Sequence, residues 1–306
     1  MTKTRPLLAG IELGGTKCVC LIGYGPDEVL AQIEIATGLA PDATLQAIET
    51  QLETWKAHYG SIAALGVASF GPVDLDPRSR LYGHITTTAK PGWRNVDLVG
   101  RLERRLKIPI GFDTDVNGAA HAEGRWGAAR GLRHFAYVTV GTGIGVGIVT
   151  NGQSLQGIFH PEMGHIRIVR QAGDGFSGSC PFHGDCLEGL ASGEAIRRRI
   201  GQSPKDLPPE HPVWASVAHA LGQLLHVMVV SLAPERILLG GGVIAGQPHL
   251  LAQLRTELTS SLNHYLLAPE LEDQIDAYVR APALGAMAGP LGALALAARR
   301  LESQGG

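Results

Sequence analysis

The stretch Ile11 to Ile22, IELGGTKCVCLI, reads as strand, tight turn, strand. Residues after the glycine pair alternate on a period of two and are too rich in β-formers for a helix. A second stretch of the same design begins at Phe135. There Ala136-Tyr137-Val138-Thr139-Val140 leads into Gly141-Thr142-Gly143 and then Ile144-Gly145-Val146-Gly147-Ile148-Val149. Two such hairpins, half a chain apart, predict two related α/β halves that each open on a turn presenting backbone N–H groups. A helix is expected over residues 43–58 and a strand over 62–68. Another strand over 107–112 should run into Asp113-Thr114-Asp115 and a helix. Later come a helix over 213–232, a strand over 236–239 and a final Ala- and Leu-rich helix over 284–302, kinked or restarted at Pro290.

At 306 residues the chain has room for one large domain or two ordinary ones. With 44% hydrophobic and 18% charged residues it can bury a substantial core. A net charge of −2 and the lack of any basic block give no reason to expect nucleic acid or an anionic membrane as partner. The opening MTKTRPLLAGIEL holds no apolar core of signal-peptide length. Val213 to Leu232 is interrupted by Ser216, His219, Gln223, His226 and Ser231, so it reads as a buried helix rather than a membrane span. The 4 cysteines fall in two close pairs without an export signal, which points to a reducing cytoplasm and favours metal binding over disulfides.

Neither hairpin turn fits a common nucleotide fingerprint. Gly14-Gly15-Thr16-Lys17 lacks the P-loop spacing, and a strand rather than a helix follows it. Gly141-Thr142-Gly143-Ile144-Gly145 places its third glycine one residue too early for a dinucleotide turn. Each alone reads as a structural hairpin. Facing one cleft together, they would cradle a polyphosphate, with Lys17 as a charge partner. Gly240-Gly241-Gly242 lies between a strand and a helix, where backbone without Cβ atoms lets a flat nucleotide base approach.

Asp115 stands where a strand gives way to a helix. It reads either as an N-cap or as a general base whose ionised form the helix terminus favours. Asp113, two residues earlier, points the other way on a strand and is the weaker candidate. Cys180, His183 and Cys186 have the spacing of a compact loop around one tetrahedral ion, helped by Pro181 and Gly184. His165 and His160 are the nearest sources of a fourth ligand. A metal-free loop with a buried histidine and a Cys180–Cys186 disulfide are the competing readings. Cys18 and Cys20 share one face of a strand and read as packing residues.

Taken in order, these motifs resemble those of the ROK (repressor, open reading frame, kinase) family of sugar kinases. Those residues are Gly14 to Lys17, Gly66 to Pro72, Lys90-Pro91-Gly92-Trp93, Asp113 to Ala119, Gly141 to Gly145, Glu162-Met163-Gly164-His165, Cys180 to Glu188 and Gly240 to Gly242. The resemblance covers almost the whole chain. It is strongest to bacterial fructokinases, through Ile85 to Trp93 and the Cys-Pro-Phe-His-Gly-Asp-Cys form of the loop. It implies an α/β, two-lobed actin-like (ribonuclease-H-like) ATPase fold with the active site in the interlobe cleft. Residues 1–120, with 288–306 packing back on them, are expected to form one lobe and 121–287 the other. The implied reaction moves the ATP γ-phosphate to the 6-hydroxyl of a hexose with Mg²⁺, and Asp115 matches the family's base. Glu162, His165 and Glu188 match its sugar contacts, while His165 completes a structural Zn²⁺ site with Cys180, His183 and Cys186. A homodimer is also implied. Glucose, mannose or an N-acetylated amino sugar are the alternative substrates, and a non-catalytic sugar sensor is the alternative class. The chain departs from many members in carrying Glu12 for Asp, Thr114 for Asn, Phe182-His183 around a Cys position and Ala89 for Pro.

Overall fold

Both predicted hairpins form, and each founds a five-stranded sheet in the computed structural model, which describes residues 5–304. The chain divides into two units. The first takes the chain up to Arg130, Ser154–His160 and everything from Ala286 on; the second takes Gly131–Gln153 and Pro161–Gly285.

The first unit runs β1 (Leu8–Leu13), β2 (Lys17–Gly25), β3 (Glu28–Ala36), α1 (Pro41–Tyr59), β4 (Ala64–Ser69), β5 (His84–Ile85), β6 (Val96–Asp97), α2 (Leu98–Leu106), β7 (Ile110–Thr114) and α3 (Asp115–Trp126). Its main sheet has the order β3-β2-β1-β4-β7. The hairpin strands pair antiparallel, whereas β4 and β7 continue parallel to β1. Central strands covered on both faces need continuous apolar runs, and β1 and β4 are buried almost end to end. Leu45, Ile48, Leu52 and Trp55 recur at helical spacing along α1 and join Ile11, Leu13, Val67 and Trp93 in one core.

The second unit repeats the plan with β8 (His134–Val140), β9 (Ile144–Thr150), β10 (Gln153–Ser154, whose second residue already counts to the first unit), α4 (Leu187–Ala191), α5 (Gly193–Ile200), α6 (Val213–Leu232), β11 (Arg236–Gly240), α7 (Gly242–Gly246), α8 (Leu250–Leu262), α9 (Ile275–Tyr278) and β12 (Val279–Arg280). Its sheet order is β10-β9-β8-β11-β12, again an antiparallel hairpin followed by parallel strands. Among the described residues α6 is the one helix long and apolar enough to cross a membrane. Val217, Leu221, Leu224, Leu225 and Met228 are buried along it, and it packs against α8 and α4.

The last helix, α10 (Ala288–Glu302), returns to the first unit and lies against β1, β4 and α3. Pro290 neither kinks nor restarts it. The proline is the third helical residue, in a first turn whose N–H groups have no helical acceptor to lose. Contact between α10 and β4 is close enough that a Cβ on Gly66 would overlap the Ala293 carbonyl oxygen.

Candidate functional site

The first unit contributes a turn and two carboxylates. Gly14 N–H donates to Lys17 O at 3.0 Å and closes the turn. The exposed amides of Gly15 and Thr16 have no partner among the described residues, as an anion-binding turn requires. Lys17 is paired with Glu34 at 2.5 Å.

Asp115 begins α3 but does not cap it. Thr114 is the N-cap, because it keeps the extended backbone of β7 and its hydroxyl accepts the Asn117 N–H at 3.1 Å. Asp115, already helical, is left half-buried with only the Val116 N–H on its Oδ1 at 2.9 Å. Burial pushes its carboxyl up to about 6, and the backbone donors offset this only in part.

Asp113 is wholly committed to structure. Its Oδ1 accepts from the Thr114 N–H and from Asn117 Nδ2, each at 2.7 Å. Its Oδ2 accepts the Ser154 hydroxyl at 2.6 Å, and that oxygen lies 2.7 Å from His121 Nε2. Burial holds His121 down at about 3, so the ring is neutral and its Nε2–H is the donor to Ser154. This chain of bonds pins the strand–helix junction around Asp115. Sequence reading missed His121 and Ser154, since nothing local links residues 33 apart.

Glu12 is half-buried near Asp115. Burial first, and then the charge of Asp115, push its carboxyl up to about 7 against the pull of Lys17. A Cβ on Gly289 would overlap its Oε1, so the longer side chain is accommodated by a glycine in the first turn of α10. Two desolvated carboxylates, one of them raised further by the charge of the other, suit a divalent cation, because its charge would keep both ionised.

In the second unit Gly141 N–H donates to Gly143 O at 2.9 Å, and the amides of Thr142 and Gly143 have no partner among the described residues. The first amides of α5 seat the same turn, Gly193 N–H on Gly141 O at 2.7 Å and Glu194 N–H on Thr142 O at 3.3 Å. Gly240 ends β11 and Gly241 caps α7 at φ 88°, a conformation open to glycine. Glu162 precedes the short 3₁₀ turn Met163–His165 and accepts the His165 N–H at 2.9 Å through its carbonyl. Glu188 lies in the first turn of α4, with Oε2 accepting the Ile144 N–H at 2.9 Å.

His165, Cys180, His183 and Cys186 converge, with ligand atoms all within 4.8 Å of one another. The two Nδ1 atoms are 3.3 Å apart, Cys180 Sγ lies 3.7 Å from His165 Nδ1 and 3.6 Å from His183 Nδ1, and Cys186 Sγ lies 3.5 Å from His165 Nδ1. Tetrahedral zinc with ordinary bond lengths needs N–N edges of about 3.3 Å and N–S edges of about 3.6 Å. The donor set therefore fits zinc. Of the two histidines considered for the fourth position, His160 is engaged elsewhere: it lies in the first unit and its Nε2 accepts the Val73 N–H at 3.1 Å. Both loop cysteines are free thiols, not a disulfide.

A chain of alternating charges braces this loop. Arg167 donates to Asp185 at 2.6 Å and to His183 O at 3.0 Å, Arg170 bridges Asp185 and Asp174, and Arg199 of α5 clasps both Asp174 oxygens at 2.9 Å.

Sheets that repeat one strand order, each opening on an amide-lined hairpin, define the actin-like ATPase class. The chain belongs to the ROK family, whose sequence profile matches residues 8–300. A Bacillus subtilis (strain 168) protein is 42% identical over 97% of both chains. The Pediococcus pentosaceus protein named fructokinase is 38% identical over 97% of this chain and 99% of its own. The crystal structure of the ROK hexokinase from Thermus thermophilus superposes with a TM-score of 0.78 at 27% identity, covering 98% of this chain and all of that one (100%).

Proposed function

We propose that the protein is an ATP-dependent fructokinase that transfers the γ-phosphoryl group to the 6-hydroxyl of D-fructose, with Asp115 as general base. One observation carries the chemistry: a half-buried carboxyl at the start of α3, raised to about 6 and bonded only to backbone amides. Such a group is ionised at neutral pH and still basic enough to receive a proton. The fructokinase named at 38% identity supports fructose as the acceptor.

In this reading Asp115 takes the proton of the 6-hydroxyl as that oxygen bonds to the γ-phosphorus and ADP departs. The unpartnered amides of Gly15, Thr16, Thr142 and Gly143 hold phosphate oxygens, Lys17 and Gly14 complete the first turn, and Gly141 shapes the second. Gly240, Gly241 and Gly242 receive the base. Glu12 would help to hold Mg²⁺, which when bound would supply charge neutralisation on the phosphates. Glu162, His165 and Glu188 bind the sugar. His165 turns Nδ1 into the zinc cluster, which leaves Nε2 at the far edge of the ring for a sugar hydroxyl. Zinc held by His165, Cys180, His183 and Cys186 supplies shape rather than reaction chemistry. The free thiols suit a reducing cytoplasm, and the family resemblance suggests a homodimer, which light scattering tests.

The decisive assay couples ADP release to hexose addition across fructose, glucose, mannose and N-acetylmannosamine. Fructose should give the highest kcat/KM; a preference for another hexose would replace fructose while keeping the kinase. Asp115→Asn should keep the fold and lose about 100- to 10,000-fold in kcat, the usual worth of a general base. Full activity in that variant would remove Asp115 from the mechanism.

A further inference from the structure

The sugar-binding segments and the second phosphate turn are fastened at a single residue, Ile144. Its N–H donates to Glu188 Oε2 at 2.9 Å, a charge-assisted bond. Its carbonyl oxygen lies so close to Gly164 that a Cβ there would overlap it, which presses the Glu162–His165 segment onto the same residue. Ile144 directly follows Thr142 and Gly143, whose amides line the turn. The other carboxylate oxygen of Glu188, Oε1, has no partner among the described residues.

Resting on the fructokinase reading above, we propose that Glu188 is a positioning residue that couples the two substrates: Oε2 holds the phosphate turn while Oε1 takes a sugar hydroxyl. A sugar that fixes the carboxylate fixes Ile144 and, through it, the amides on which phosphate rests. The coupling is reciprocal, so bound nucleotide must tighten sugar by the same factor. Gly143 belongs to the same device, because a Cβ at that position would lie 2.5 Å from Glu188 Oε2.

The test is calorimetric, on zinc-loaded protein, with Mg²⁺–AMPPNP as the nucleotide probe. In the wild type, saturating fructose should lower the AMPPNP Kd by about fivefold or more, within the usual range of coupling between sites. Saturating AMPPNP should lower the fructose Kd equally. Gly143→Ala displaces the carboxylate without removing it, and Glu188→Gln keeps its size without its charge. Both should bring the factor close to one. Gly141→Ala, whose Cβ meets open space, should weaken AMPPNP yet preserve the factor. A factor that survives in Gly143→Ala and Glu188→Gln overturns the proposal, as does a wild type that binds both probes independently. A wild type that binds AMPPNP but not fructose would sink the fructokinase reading and the coupling with it.

Discussion

Asp115 and Glu12 are costly residues, and their cost has a pH signature. Their native carboxyls sit at about 6 and about 7, against ordinary values of 3.8 and 4.5. Between roughly pH 4 and 7 the folded chain therefore binds more protons than the unfolded one, so stability falls as pH rises through that window. Glu12→Gln removes the larger penalty. It should raise the melting temperature at pH 8 by roughly 2–4 °C, the shift that about 1 kcal/mol produces in a domain of this size, and the gain should vanish near pH 4. A calorimetric scan at both pH values without Mg²⁺ checks this; a variant less stable at pH 8 would mean that Glu12 is held by groups its pKa does not reflect. In the wild type kcat/KM should climb with pH through about 6 as Asp115 ionises, and a flat acid limb would count against that role. At this scale the sequence was half legible. It singled out Asp115, but it could not choose between cap and base, because Thr114 beside it is an equally good cap and only backbone angles separate them. Glu12 stood out as a departure, whereas its partner Gly289 lies 277 residues away and gives no local signal.

The zinc loop shows where element-scale reading succeeds and where it stops. Cys180, His183 and Cys186 were legible because three ligands in seven residues leave few other uses, and His165 followed from the motif before it. The arginine ladder was not. Apart from Arg170 and Asp174, four residues apart, its pairs span 15 to 25 residues, and all use side chains that are solvated on most surfaces. Two of its members are well shielded, with Asp174 and Arg199 side chains 11% and 16% exposed, and Arg199 holds the carboxyl of Asp174 below its ordinary range even as burial opposes it. The ladder joins the zinc loop to α5, whose first amides seat the Gly141–Gly143 turn. Asp174→Asn touches no metal ligand, yet it should speed zinc loss to a chromogenic chelator by about tenfold or more, in the range seen for supports one step removed from a metal. Unchanged release would mean that the loop holds its shape without Asp174. Stripping zinc from the wild type should cost fructose affinity by at least as much, through His165, while AMPPNP binding in the absence of sugar falls less.

On the scale of the whole chain, duplication of the sheet plan was legible in the two hairpins, while the return of α10 to the first unit came only with the family resemblance. Composition predicts a helix over residues 284–302; nothing in it says which sheet that helix will cover. What decides this is the fit of small residues from distant segments. Gly66 on β4 admits the Ala293 carbonyl, Gly111 on β7 admits that of Leu296, and Gly118 and Gly292 let α3 and α10 meet backbone to backbone. The same helix presents Gly289 to Glu12, so its seating reaches the site. Gly66→Ala places a methyl group inside the Ala293 carbonyl and must push α10 outward. Overpacking of this kind costs about 1–3 kcal/mol. Because pushing α10 outward also withdraws Gly289 from Glu12, the variant should lose activity along with stability, with a larger drop in kcat than in sugar affinity. Gly175→Ala, where a Cβ meets open space, is the control and should stay within about 0.5 kcal/mol of wild type. If Gly66→Ala melts with the control and keeps its kcat, the close contact between α10 and β4 does not exist in solution, and the match of Gly289 to Glu12 loses its support.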